Sequence, residues 1–379
     1  MHGTTIRLET MRERGRLLEI VEDWRALAAA AGEPNIFMEP MAALPALDYP
    51  DTDKVFAVAA WGADASGKRR LDGLLLLKPW KRSRFLPAAV QSWNYRLRAY
   101  GEPLIRSGRE HAFWAAVLPH LDELPGFSVL RLAQLRDDSA STVALRELAA
   151  ELRRPLYETR RFERAMLRGP TCAETYVERL PTKLLREQKR RRRRLEELGA
   201  VRFERLRPGK DAAQWIEALI ALEAAGWKGR RGVAAASEPH VEQMVRHLLA
   251  EAHRSGRLDM RRLLLGERTI SMIAHIESGR TAMSFKIAYD EEFARYSPGV
   301  LLQMDYLERG LSLDWVDSCA SPGHPMFDTL WLERRPIVTL MIPFARPGAR
   351  IACAAENAVR LASQRWKGKS PGDSGAQPC

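Results

Sequence analysis

Cysteine is scarce: the 379-residue chain has four, Cys172, Cys319, Cys353 and Cys379. None forms a C-x-x-C pair, which argues against a structural zinc site, and no metal is expected. So few cysteines in so long a chain make no disulfide framework, and a reducing cytoplasm suits them. Long apolar runs are also missing. The longest unbroken run of Leu, Ile and Val is Leu74–Leu77, far short of a membrane span. The opening stretch MHGTTIRLETMRERGRLL has no apolar core for a signal peptide. These absences predict a soluble, cytoplasmic protein that meets a membrane only at its surface.

Acidic residues are in deficit, 48 against 60 Lys and Arg, for a net charge of +12. That balance favours polyanionic partners: nucleic acid, anionic lipid or a phosphate-bearing cofactor. The excess is local. "KLLREQKRRRRRLEELGA" begins at Lys183, and its part up to Arg194 carries +7, which leaves +5 for the rest. Composition is otherwise ordinary, 46% apolar and 28% charged, and the length suits two domains, each with its own core.

Periodicity and turn residues predict an α/β (α+β) chain. A helix over 12–31 stops at Gly32 and Pro34. "VFAVAAWG", "LDGLLLLKPW" and "LRAYGEPLI" read as strands, 111–124 as a helix, "FSVLRLAQL" as a strand and 141–152 as a helix. The order is then repeated. A long helix around the arginine run precedes the strand "VRFERL" and helices over 212–225 and 238–255. "RLDMRRLLL", "TISMIAHIE" and "TAMSFKIAY" follow with short polar turns, an antiparallel meander. Then come a loop, the helix "VLLQMDYLERGL" and the strand "LDWVDSC", a crossover that implies two parallel neighbours. The domain boundary is expected near 161–170. The tail from Lys367, without apolar periodicity, is expected to be disordered.

"FKIAYDEEFARYSPGVLLQMDYLERG" is the most informative window. Ser297 suits a helix N-cap, Pro298 the first helical position, and Gly299 lets an anion approach the backbone. With the amides of Val300 and Leu301, the helix dipole and Arg295, the start of this helix is a candidate phosphate site. In "TAMSFKIA", Met283, Phe285 and Ile287 alternate with Ala282, Ser284, Lys286 and Ala288. The bulky set is expected in the core. The small, polar set leaves room for a thin ligand.

Four segments together resemble a known family: "LPTKLLREQKRRRRRLEELG", "LEAAGWKGRRG", "FKIAYDEEFARYSPGVLL" and "LDWVDSCASPGHPMFDTLW". In this order they resemble the CelD-type, cellulose-biosynthesis-associated (BioF-like) acetyltransferase domain of the GNAT acyltransferases, related to the FemAB aminoacyltransferases. They span Leu180 to Trp331. The resemblance implies tandem GNAT-like domains, each a mixed, mostly antiparallel sheet with flanking helices. It divides the chain into a degenerate domain over 1–165, an acetyltransferase domain over 166–345, and a C-terminal helix with a disordered tail over 346–379. It implies acetyl-CoA or another acyl-CoA as co-substrate. The family's phosphate loop reads Q/R-x-x-G-x-G/A. Here Arg295 is followed by Y-S-P-G, and Pro298 removes one donor.

On a helix, Leu184, Gln188, Arg191, Leu195 and Leu198 share a face. As the first helix of the family's domain, the run is expected to flank the cleft, where its basic residues, Arg191 among them, attract an anionic glycan, a lipid phosphate or the cofactor's phosphates. No stacking aromatics accompany the run, so nucleic acid is not the expected partner. Acyl transfer from a thioester needs a base, donors for the oxyanion and a proton for the thiolate. Asp317, at the end of a parallel strand, is the leading base, and His324 competes with it. Tyr289 is the candidate acid, with Tyr296 behind it. Trp227 and Lys228 suggest a lid on the acceptor, and Lys286 lines the same cleft. Asp317, Cys319 and His324 as a thiol site, or Cys319, Asp328 and His324 as a metal site, rank below this. The expected function is acyl-CoA-dependent N- or O-acyl transfer to a polysaccharide or cell-envelope precursor or another small acceptor, at a membrane surface or within a biosynthetic complex. Two alternatives stand: a non-catalytic module that binds a partner enzyme or glycan, and a FemAB-like transferase that uses aminoacyl-tRNA.

Overall fold

A computed structural model describes residues 6–49, 52–81, 88–169 and 172–367. Of the tail expected from Lys367, residues 368–379, with Cys379, lie outside them, as does the boundary residue Pro170. The chain divides into two compact units. Among the described residues, one comprises 6–163 with 335–367, and the other 164–334. Both are mixed, mostly antiparallel sheets flanked by helices.

The first unit runs β1 (Arg7–Met11), α1 (Arg14–Glu19), α2 (Val21–Ala30), α3 (Pro40–Ala46), β2 (Phe56–Ala63), β3 (Arg69–Trp80), β4 (Ala89–Ser92), β5 (Leu104–Ile105), α4 (Glu110–Asp122), β6 (Val129–Arg136) and α5 (Ala140–Glu151). Its core joins Phe113, Trp114 and Leu118 of α4 and Leu145 of α5 to Leu130 of β6. The helix expected over 12–31 is two helices, and a strand precedes it. Of the strand expected in "LRAYGEPLI", only β5 forms. β4 pairs with β6 in parallel, in register from Ala89↔Val129 to Gln91↔Arg131.

β7 (Tyr157–Arg168) carries the chain into the second unit. There follow α6 (Ala173–Glu178), α7 (Thr182–Glu196), β8 (Val201–Arg205), α8 (Ala213–Ala225), α9 (Trp227–Arg230), α10 (Pro239–Arg254), β9 (Leu258–Leu265), β10 (Arg268–Ser278), β11 (Thr281–Tyr289), α11 (Pro298–Glu308), β12 (Trp315–Asp317) and α12 (Phe327–Leu330). β13 (Glu333–Pro343) then returns to the first unit, and α13 (Ala349–Lys367) ends the described chain. In the second unit, strands run β7-β12-β11-β10-β9-β8. The meander β9-β10-β11 is antiparallel, and β11 pairs with β12 in parallel, as the crossover predicts. No described helix is long and apolar enough to cross a membrane.

One register shift changes which side chains line the site. Between β10 and β11, Ala274 pairs with Lys286 but His275 pairs with Ser284, so Phe285 has no partner. A one-residue bulge flips the faces on its two sides. Lys286 therefore shares a face with Met283, and Ser284 shares the other with Ile287. The expectation of a bulky core face and an open polar face is overturned. Ala282, Ser284, Lys286 and Ala288 are buried, while Phe285 and Ile287 are only half-buried.

The face toward α11 holds His275, 1% exposed, stacked on Tyr306 with centroids 4.8 Å apart. Burial lowers its pKa from 6.5 to about 4, against the pull of Asp259. Between those two values the unfolded chain binds a proton that the folded chain refuses, so stability rises with pH in that window. Urea midpoints measured from pH 7 to pH 4 are expected to fall, and His275→Phe is expected to flatten that slope. Equal slopes would show that His275 does not control it.

Candidate active site

The parallel pairing of β11 with β12 is short: Thr281↔Trp315, Ala282↔Val316, Met283↔Asp317. Beyond Asp317 the chain turns toward β7, where the Ser318 amide donates to the Ala165 carbonyl at 3.1 Å. Ser284–Tyr289 continue without that neighbour, so a wedge opens and points to the N terminus of α11. In an antiparallel strand the N–H and C=O of one residue face the same side, alternating along the chain. The Asp290 amide donates to Ile270 of β10, so Ile287 and Tyr289 turn their backbone groups into the wedge.

At the wide end stands α11. Helix geometry leaves the amides of Gly299 and Val300 without an intrahelical acceptor. Leu301, expected among the donors, is excluded: its amide donates to the Ser297 carbonyl at 3.1 Å and its side chain is in the core. Ser297 does not cap. Its backbone is left-handed (φ 51°, ψ 56°), which carries Oγ away from the first-turn amides, and Oγ instead accepts from Arg191. Arg191 reaches it from α7 while its Nε donates to Glu187 at 2.8 Å. Arg295 is exposed and lies over the Tyr296 ring at 4.7 Å. Pro298 and Gly299 are buried, while Val300 is half-buried. A Cβ on Gly299 would meet Met326 Sδ at 3.4 Å and Ile287 Cδ1 at 3.7 Å, so Val300 is the more open of the two donors.

The arginine run thus does flank the start of α11. On α7, Gln188 and Leu195 are buried and Leu184 and Arg191 half-buried. Leu198, expected on the same face, lies beyond the helix end and is 52% exposed.

Along the wedge lies a group of charges only partly foreseen. Glu223, 4% exposed on α8, binds Lys286 Nζ through both oxygens at 3.0 and 3.1 Å. It also binds Lys228 Nζ at 3.0 Å and the Ala235 amide at 2.8 Å. Burial raises the Glu223 pKa, but Lys286, then Lys228, then the Ala235 amide outweigh it and take it from 4.5 to about 2. Lys228 also donates to the Ile287 carbonyl at 3.3 Å, inside the wedge. The residues Trp227-Lys228-Gly229 form α9 directly after Gly226. Gly229 is required there, since a Cβ would meet the Ala224 carbonyl oxygen at 1.8 Å. Lys228 points inward, while Trp227 is 39% exposed.

His324 is half-buried after β12. Burial first, and then the Lys228 charge, lower its pKa. Its Nδ1 accepts the Phe327 amide at 3.4 Å, which leaves the neutral ring's proton on Nε2. It therefore offers a donor, not the base expected from sequence.

Asp317 is also reassigned. It is 0% exposed, Oδ1 accepts the Cys319 amide at 2.7 Å, and Arg164 Nη1 lies 3.6 Å away. Cys319 is left-handed, φ 52°, so Asp317 closes a strained turn. Tyr289 lies six residues along β11 from Met283, the partner of Asp317, about 20 Å at the usual rise. Burial, then Glu291, raise its pKa. Asp317, Tyr289 and His324 therefore do not form one cluster. The wedge brings together Lys228, Lys286, Glu223 and His324.

Sequence reasoning missed Glu223. Its signal was a carboxylate on the apolar stripe of α8, in step with the buried Ile216, Leu219 and Ile220.

Residues 182–320 match the family model described as an acetyltransferase (GNAT) domain. No curated protein matches the chain. Among solved structures, the chain is similar to a conserved protein of unknown function from Bacteroides thetaiotaomicron, with 10% identity and a TM-score of 0.53 over 86% of this chain and 97% of that one. It is also similar to FemX, with 9% identity and a TM-score of 0.52 over 87% and 96%. At such identities the likeness is one of fold.

Proposed function

We propose that the chain is an acyl-CoA-dependent N- or O-acyltransferase that works by direct transfer. The observation that carries this reading is the wedge beyond Met283 and Asp317, which opens toward the start of α11 within residues that match an acetyltransferase domain. The donor's diphosphate is assigned to the Val300 and Gly299 amides, the α11 dipole, Arg191 and Arg295. Its amide-bearing arm is assigned to the backbone edge at Ile287 and Tyr289. Lys228 occupies the Ile287 carbonyl and gives way on binding, while Glu223 still holds its charge. The thioester supplies the acyl carbon. An acceptor amine or hydroxyl attacks it, the new C–N or C–O bond forms and the C–S bond breaks. The proton that the acceptor loses passes to the departing thiolate, whose sulfur can accept a hydrogen bond from His324 Nε2–H, and no covalent enzyme intermediate is needed.

The acceptor class, a polysaccharide or cell-envelope precursor, rests on the CelD-type resemblance of Leu180–Trp331. A cytoplasmic location follows from the donor. The exposed arginines of α7 suit a membrane surface or an acidic partner in a biosynthetic complex.

Calorimetry with acetyl-CoA tests the reading. Wild type and Gly299→Ala are expected to bind, since a methyl group fits beside Met326 and Ile287. Gly299→Asp is expected to lose binding, because it sets a carboxylate against the diphosphate. No heat from wild type at millimolar ligand would remove the proposal.

A further inference from the structure

Trp227 is held by its backbone to the turn that follows β11. Its amide donates to Glu291 Oε1 at 2.5 Å, and Arg230 pairs with Oε2 of the same carboxylate. Glu291 opens the 3-10 turn Glu291–Tyr296, which ends at Ser297. That turn spans about 12 Å at the usual rise of such a helix. The Trp227 backbone therefore stands past the end of β11, at the wide end of the wedge. The narrow end, where β11 parts from β12, lies about 20 Å back along the strand. A thioester with its diphosphate on α11 carries its acyl group to the narrow end and leaves its nucleotide base at the wide end. An acceptor stacked on Trp227 would be far from the acyl carbon.

Resting on the acyl-CoA reading, we propose that Trp227 stacks on the purine ring of the donor, not on the acceptor as its place beside Lys228 suggested. The side chain is open enough to do so, at 39% exposed. Arg231 lies over the indole at 5.3 Å, which steadies the ring and adds positive charge beside it. The division of labour in α9 follows. Lys228 turns inward to the strand edge, Trp227 turns outward to the base, and Gly229 lets the short helix press on α8.

The test compares CoA with 4′-phosphopantetheine, which has the same arm without the nucleotide, by calorimetry on the full chain. Wild type, Trp227→Ala and Trp227→Phe are measured. Trp227→Ala is expected to weaken CoA about tenfold, within the range of base–aromatic stacking, and to leave 4′-phosphopantetheine unchanged. Trp227→Phe, which keeps a π face, is expected to recover most of the loss. Unchanged CoA affinity in Trp227→Ala overturns the stacking role. So does an equal loss for both ligands, which marks a general disturbance of α9. If CoA binding is intact and only turnover with an acceptor falls, the indole belongs to the acceptor. No CoA binding by wild type removes the acyl-CoA reading and this inference with it, whereas binding without a Trp227 effect removes this inference alone.

Discussion

Glu223→Ala is expected to cost the second unit about 3–5 kcal/mol, the range for breaking a buried ion pair from one side. The substitution leaves Lys286, 6% exposed, without the carboxylate whose two oxygens its ammonium reaches. It also strips the Ala235 amide of its acceptor and frees Lys228 from one of two partners. Urea unfolding, followed by a probe in the second unit, measures the loss. Replacing the pair together, Glu223→Leu with Lys286→Met, removes charge and counter-charge at once and is expected to restore much of the stability. If Glu223→Ala were as stable as wild type, the three-residue group would not be the anchor described. The pH dependence has a definite sign. The Glu223 pKa is depressed, so its stabilisation is complete above about pH 5 and is lost as pH falls from 4.5 toward 2. The double replacement is expected to lack that acid limb.

Much of the second unit was legible because its signals were local. Gly266 and Gly279, both at positive φ, mark the two tight turns of the meander. The length of the segment from Tyr289 to Trp315 forced a parallel crossover, and the structure has one. The arginine run showed its helix and its approach to α11 through Gln188, Arg191 and Leu195. What stayed hidden depended on distant partners. The bulge at Phe285 moves Lys286 to the α8 face, and no pattern within "TAMSFKIA" announces one extra residue. Ser297 reads as a cap by residue type, yet Arg191, more than a hundred positions away, takes its hydroxyl. In the first unit, β4 was too short to show a period. β7, "YETRRFERAMLR", was masked by its charges, because only its last turns of alternation are buried. β13 closes a sheet in the first unit from sequence beyond the second, an arrangement that element order along the chain does not reveal.

Asp317 offers the sharpest separation between a catalytic and an architectural carboxylate. Asp317→Ala is expected to destabilise the second unit by about 3 kcal/mol or more, the scale for removing one partner of a buried charged pair. Arg164, 3% exposed, would lose that carboxylate and keep its contact with the Ala320 carbonyl at 3.2 Å. The Cys319 amide would lose its acceptor at a residue already strained by its left-handed backbone. Asp317→Asn separates the roles. The amide oxygen still accepts from Cys319, so the turn survives, while the charge opposite Arg164 and any capacity as a base are gone. If Asp317 serves the turn, Asp317→Asn keeps acetyl-CoA binding and retains turnover within about tenfold, with a lower urea midpoint. If it is the base, the midpoint changes little beyond the lost charge while turnover falls by about 10²–10⁴-fold, the span of general base catalysis. Its complete burial, its Cys319 contact and the Arg164 guanidinium favour the first outcome. That outcome would leave the acceptor's proton to pass to the departing thiolate without a carboxylate base.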